Sequence, residues 1–190
     1  IRVNHVRGQL YTNPKTGVIT IKAAGRNDWL GWVEPVREVL SSEAIHNNAR
    51  VLNAVDADIL CLLEVEDRIT LERFHQEVLV QEGFLAQPNR RYKYNMLIDG
   101  NDERGIDVGL FSRYPISTVC SHIKDTFKSG GKEYPIFSRD CLEVRVDVSV
   151  EQPVWVFVNH LKSKGYGSQQ SRNAKRKKQA MRVKEILQWY

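Results

Sequence analysis

Apolar, strand-like runs alternate with helix-like stretches along this chain, which makes it an α/β protein whose consecutive strands are placed to pair antiparallel. Three stretches carry that expectation. Val154-Trp155-Val156-Phe157-Val158 is an unbroken apolar run that gives way at once to Asn159-His160-Leu161-Lys162-Ser163-Lys164-Gly165, the pattern of a buried strand with a polar end. Ala57-Asp58-Ile59-Leu60-Cys61-Leu62-Leu63 is built the same way and ends in Glu64-Val65-Glu66-Asp67. Val144, Val146 and Val148 alternate with charged residues, so their strand buries one face. There is no internal repeat, low-complexity tract or linker, and residues 1–190 read as one domain.

From the start of the chain, residues 1–11 and 17–23 read as a hairpin around Asn13-Pro14-Lys15-Thr16-Gly17. Asp28 to Pro35 reads as a loop whose Trp29 and Trp32 serve packing. Ser41-Ser42-Glu43 opens a helix with an apolar stripe of Ala44, Ile45, Ala49, Leu52 and Val55. After the strand at 58–64, a helix runs from about Thr70 to Gln81 and stops at Gly83. Tyr92 to Ile98 is a strand, and Asp99-Gly100-Asn101-Asp102 a turn. Further strands are expected at 106–112, 116–123, 141–148 and 154–161. A last helix, roughly Ser171 to Gln188, sets Ala180, Val183 and Leu187 on one side.

The 190 residues suffice for one domain with a real core, and 42% apolar and 27% charged residues are ordinary for a globular protein. No apolar run is long enough to span a bilayer, and no signal-peptide pattern stands at the start, which is Ile1. Cys61, Cys120 and Cys141 are dispersed, odd in number and without metal-ligand spacing, which argues against a disulfide framework or zinc. They point to a reduced compartment such as the cytoplasm, with secretion as the alternative. Residues 161–190 carry nine Lys or Arg and one acid, net +8, against net −3 for residues 1–160, so the overall +5 belongs to the tail. That tail is either a solvated helix face or the footprint of a polyanion.

The ends of the two apolar strands carry the chemistry. Ligands of α/β sheets sit beyond the carboxyl ends of strands. There His160, Lys162, Ser163 and Lys164 suit an anionic group, most naturally phosphate. Glu64 offers carboxylate oxygen to a hard cation such as Mg²⁺. Together they fit metal-assisted phosphoester hydrolysis, in which a cation neutralises charge on the phosphate and an imidazole donates to oxygen. A third cluster is Asp102-Glu103-Arg104-Gly105-Ile106-Asp107, where Asp107 by itself reads as a turn cap or a partner of Arg104. A fourth is Phe137-Ser138-Arg139-Asp140-Cys141-Leu142-Glu143, where Arg139 either clamps phosphate oxygens or pairs with Asp140 or Glu143. Tyr166 either stacks on a base or packs back on the core.

Four of these segments, in the same sequence order, resemble the endonuclease/exonuclease/phosphatase family. They are Ala57–Glu64, Gly105–Ile116, Ser138–Val144 and Val158–Ser163. The compressed form Asn-His-Leu-Lys-Ser-Lys-Gly and the downstream Arg176-Lys177-Lys178-Gln179-Ala180 resemble bacterial nuclease-like members. The likeness runs from about residue 41 to 190. It implies a four-layer α/β/β/α sandwich with mixed, largely antiparallel sheets, and Mg²⁺ dependence with Mn²⁺ as a substitute. It implies Glu64 as a metal ligand, His160 as donor to the phosphate or leaving oxygen, and Asn159, Lys162, Ser163, Lys164 and Arg139 as phosphate contacts. Asp107 falls where related nucleases keep a polar residue near the metal.

The family pattern continues with Gly-Asp-x-Asn and Ser-Asp-His segments and opens on a strand ending in a metal-linked Asn. The former two are missing from the sequence, and Asn4 is the early candidate for the last. The chain is therefore expected to be an internal part of such a domain, with about half the active site and an exposed apolar surface open to self-association. The expected activity is phosphodiester hydrolysis on nucleic acid. A phosphatase or a small-molecule or lipid phosphodiesterase is the alternative, and a non-catalytic fragment or binding module the reading from another class.

Overall fold

The structure, a computed structural model, describes residues 2–12, 18–34, 41–165 and 168–190. They fall into two compact units, residues 1–42 and 43–190. In the first, β1 (Arg2–Gly8) and β4 (Trp29–Glu34) pair antiparallel, and β2 (Tyr11–Thr12) pairs with β3 (Thr20–Ile21). The segment expected as a loop is thus a strand, β4, for which tryptophan and valine have high propensity. Gly31 permits the pairing, because a Cβ there would stand 2.1 Å from the Asn4 carbonyl oxygen. Trp29 packs as expected, edge-on against His5 with its Nε1 donating to His5 Nδ1 at 2.9 Å, whereas Trp32 is exposed. The expected hairpin is confined to the short β2–β3 pair, and its turn at 13–17 lies outside the described residues.

The second unit is a stack of four layers. Helix α1 (Ser42–Val55) is followed by β5 (Ile59–Val65), α2 (Arg68–Arg73) and a π-helical continuation, Phe74–Gln81. Asp67 caps α2 by accepting from Thr70 N at 2.6 Å, and the helical run is followed by Gly83 at φ +84°. Strands β6 (Tyr94–Leu97) and β7 (Asp107–Ser112) complete one sheet with the order β5-β7-β6. Strand β8 (Ile116–Cys120) joins β11 (Cys141–Val146) and β12 (Val154–Asn159) in a second, ordered β12-β11-β8. Between them β9 (Thr126–Ser129) and β10 (Lys132–Pro135) form a hairpin through Gly130 and Gly131, both at positive φ. All of these pairings are antiparallel. Helix α3 (Gln169–Leu187) closes the unit.

Side-chain alternation explains the layering. Phe111 on β7 joins Leu97, Leu71, Leu79 and Ala49 in a core between the first sheet and its helices. Gly109, on the same face, gives α2 room, since a Cβ there would meet Leu71 Cδ2 at 3.3 Å. Val108 and Leu110, on the other face, pack with Leu142, Val144, Val146 and Val158 between the two sheets. Cys141 and Phe157, on the far face of the second sheet, pack with Ile186 and Val183 of α3. These three cores separate four layers, α/β/β/α, with antiparallel sheets inside. The seam of α3 differs from expectation. Arg172, Lys175, Arg176, Gln179, Arg182, Val183 and Ile186 are its covered positions, while Ala180 and Leu187 are exposed. The sheet below supplies polar partners, so a polar face can be buried there. No helix among the described residues is long and apolar enough to cross a membrane.

Candidate active site

The layering brings the ends of β5 and β12 together. The β5–β7 register shifts between Leu63 and Val65, which makes Glu64 the extra residue of a β-bulge. Glu64 has φ +61°, a left-handed conformation that glutamate rarely adopts. The bulge turns its carboxylate toward the second sheet, where Glu64 Oε1 lies 3.9 Å from His160 Nε2. That contact is close enough for charge attraction and too long for a hydrogen bond. Glu64 is 65% exposed and His160 20% exposed, so the carboxylate faces solvent over a half-covered ring.

Two polar side-chain atoms at the end of β12 have no partner. His160 Nδ1 and Asn159 Oδ1 are buried and unsatisfied, although Asn159 Nδ2 donates to the Phe157 carbonyl at 3.3 Å. Burial, with Arg139 as the next cause, pushes the His160 pKa below its ordinary 6.5, against the pull of Glu64. The ring is therefore neutral at neutral pH, able to donate one proton and accept another.

Positive charge lies beside and below it. Arg139 is 5% exposed, donating Nη1 to Asp102 Oδ2 at 3.0 Å and Nη2 to the Leu161 carbonyl at 3.2 Å, while its Nε is unpaired. It pairs with neither Asp140 nor Glu143; its partner Asp102 is shared with Arg104. Arg104, then Arg139, hold the Asp102 carboxyl far below the usual range. Asp107 is buried and accepts from Gly100 N at 2.8 Å, which makes it the cap of the 99–102 turn. A Cβ at Gly100 would stand 2.7 Å from the Asp107 Oδ1, so glycine is needed for that contact. Burial, then the neighbouring Asp99, Asp102 and Asp140, raise the Asp107 pKa. Glu64 is thus an exposed carboxylate at this edge, while Asp102 and Asp107 are occupied by protein donors. Its oxygen donor set fits one ligand position of a hard divalent cation.

Lys162 holds the strand end to α3. Its N–H donates to Gln179 Oε1 at 2.8 Å, and its carbonyl accepts from Arg176 Nη1 at 2.9 Å. Ser163 and Lys164 are exposed. Lys175 is a further site residue, hidden in sequence among the tail's basic residues. Its Nζ donates to Ser138 Oγ at 2.7 Å, and burial, Lys162 and Arg139 push its pKa down. Alongside runs a groove of about 210 Å³ lined by Lys164, Gln169, Arg172, Asn173 and Arg176. Tyr166 lies outside the described residues. Edge, cations and groove together can hold an anion against a neutral imidazole and an exposed carboxylate.

A family model described as Endonuclease/Exonuclease/phosphatase family matches residues 39–188. No curated protein and no solved structure matches the chain significantly.

Proposed function

The chain belongs to the endonuclease/exonuclease/phosphatase family of metal-dependent phosphoester hydrolases, and on that premise we propose that it acts on nucleic-acid phosphodiesters with Mg²⁺, for which Mn²⁺ substitutes. The observation that carries this reading is the meeting of Glu64 and His160 at 3.9 Å across two sheets, with the cations of Arg139, Lys162 and Lys175 around them. Glu64 is the residue to hold the cation, with water and phosphate oxygens in the remaining positions, since Mg²⁺ keeps most of its waters. The bound ion would neutralise charge on the phosphate. Neutral His160 donates a proton from one ring nitrogen to a substrate oxygen, and its unpartnered Nδ1 accepts from water. Asn159 Oδ1 accepts from a water or ligand hydroxyl and orients it. Lys162, Ser163 and Lys164 bind phosphate oxygens. Arg139 contributes charge from below and fixes the Leu161 carbonyl, hence the path of the backbone from His160 to Lys162. The groove along Lys164, Arg172 and Arg176 favours a polyanion over a small phosphoester.

The test is Mg²⁺- or Mn²⁺-dependent cleavage of plasmid DNA and of a chromogenic phosphodiester, with and without Glu64→Gln. Cleavage that stops with chelator and with Glu64→Gln supports the reading. Cleavage indifferent to Glu64→Gln overturns it. Cleavage of only a phosphomonoester or lipid substrate moves the substrate to the other branch. A second reading, binding without catalysis, is favoured by the occupied state of Asp102 and Asp107; salt-sensitive DNA binding with no cleavage would select it.

A further inference from the structure

On the far face of the second sheet, away from Glu64, three potential metal ligands converge. The β8–β11 register sets Cys120 opposite Glu143, and His122 follows two residues on. Cys120 Sγ, a His122 ring nitrogen and a Glu143 carboxylate oxygen all lie within 4.8 Å of one another. His122 and Glu143 are buried and Cys120 is exposed. His122 Nε2 stands 3.1 Å from Glu143 Oε2, and Nδ1 stands 3.2 Å from Asp125 Oδ2. Both ring nitrogens therefore face carboxylate oxygens, but a neutral imidazole has one N–H to give. With Nδ1–H on Asp125, the Nε2 lone pair faces the Glu143 oxygen at 3.1 Å, an arrangement that a second ring proton or a metal ion completes.

A second ring proton would serve, but it would make no use of the sulfur. A metal ion uses all three donors, and the surroundings are those of a metal site. Asp125 on Nδ1 completes a carboxylate–histidine arrangement that fixes the tautomer and leaves Nε2 free to ligate. Asp125 is itself held by Arg182 Nε at 2.7 Å. The other Glu143 oxygen accepts from the Tyr190 hydroxyl, and the His122 backbone N–H donates to Asp140 Oδ1 at 2.7 Å. Sulfur, imidazole and a single carboxylate are the wrong set for Mg²⁺, while each is a Zn²⁺ ligand type, a grouping made by the sheet register and not by the cysteine spacing that argued against zinc.

We propose that Cys120, His122 and Glu143 bind a zinc-like divalent cation, with a fourth position open to water on the exposed Cys120 side. Binding forms Zn–S, Zn–N and Zn–O bonds and sends the Cys120 thiol proton to solvent. The ion ties β8 to β11, and through Tyr190 and Arg182 it also ties both to the end of α3. The site is independent of the phosphoester chemistry at Glu64.

The test uses the metal-stripped full chain titrated with Zn²⁺ by calorimetry and with Co²⁺ by absorption. The expected result is one tight thiolate-bearing site, separate from any weak binding at Glu64, with a thiolate-to-cobalt charge-transfer band and the intense visible bands of low coordination number. Cys120→Ser should abolish the charge-transfer band and weaken zinc binding at least tenfold. Asp125→Asn should weaken binding by about 10–100-fold. Cys61→Ser should leave the spectrum as it was. Cys120 is exposed, so its serine variant folds whatever the fate of a His122 variant. Failure of the wild-type chain to bind either ion, a spectrum without the thiolate band, or a band that survives Cys120→Ser overturns the proposal.

Discussion

Glu64→Gly separates the backbone role of residue 64 from its chemical role. At φ +61° the glutamate occupies left-handed space, which costs a non-glycine residue about 1–3 kcal/mol. Glycine removes that strain but brings about 0.5–1 kcal/mol of extra unfolded-chain entropy. The Glu64 side chain is 65% exposed, so its deletion forfeits little packing. The net expectation is a gain of up to about 2.5 kcal/mol for Glu64→Gly, whereas Glu64→Gln keeps the strain and stays within about 0.5 kcal/mol of the parent. In a domain of this size each kcal/mol moves Tm by about 2–4 °C. Thermal unfolding of the three proteins checks the first half, and metal-dependent phosphodiester cleavage the second. Both variants should lose activity by about a hundredfold or more, the glycine variant while melting higher. A glycine variant that melts lower than the parent would refute the bulge and its strained backbone. A glutamine variant that keeps full activity would refute the carboxylate's role.

Glu64→Gln should also lower the His160 titration midpoint followed by ring NMR, because it removes an anion that favours the imidazolium; an unchanged midpoint would mean the two groups do not interact. The Asp107 pKa is raised in the folded state, so its stability contribution is full below the ordinary 3.8 and is lost as pH rises through the folded value. Asp107→Asn should therefore gain on the parent between pH 4 and pH 7 in thermal unfolding, and an equal difference at both pH values would refute the burial argument. Arg139→Ala leaves the Leu161 carbonyl without its donor and Asp102 with Arg104 alone, so it should cost about 3 kcal/mol in denaturant unfolding. A loss below about 1 kcal/mol would show that the buried pair is not formed.

Long apolar or alternating strands were legible because burial writes itself into the sequence with a period of two. The strands expected at 106–112, 141–148 and 154–161 became Asp107–Ser112, Cys141–Val146 and Val154–Asn159. The β9–β10 hairpin was overlooked although Gly130-Gly131 is a two-residue turn signal. Its strands are short and mostly exposed, so no apolar pattern marks them. β4 was misread because its tryptophans were assigned to a loop, and local reading gives no account of a partner strand more than twenty residues away. The seam of α3 was misread for a related reason. Its covered positions include Gln179, Lys175 and Arg182, whose partners Ile136, Ser138 and Asp125 come from distant segments. An apolar-stripe search passes over a face satisfied by hydrogen bonds.

That same face decides what the basic tail can do. The net +8 of residues 161–190 reads in sequence as one undivided footprint. In the folded chain Arg182 is spent on Asp125 and Glu185, and Arg176 on the Lys162 carbonyl and Asn173. Lys178 lies over the Phe127 ring at 3.2 Å. These contacts hold α3 to the sheet, and through Lys162 they hold the strand end that follows His160. Lys164 and Arg172 line the groove next to that strand end, as Arg176 does while held by its protein partners. The helix therefore works first as a brace. Its electrostatic contribution to an anionic substrate narrows from the whole tail to the few cations at its N-terminal half, where the candidate site already lies.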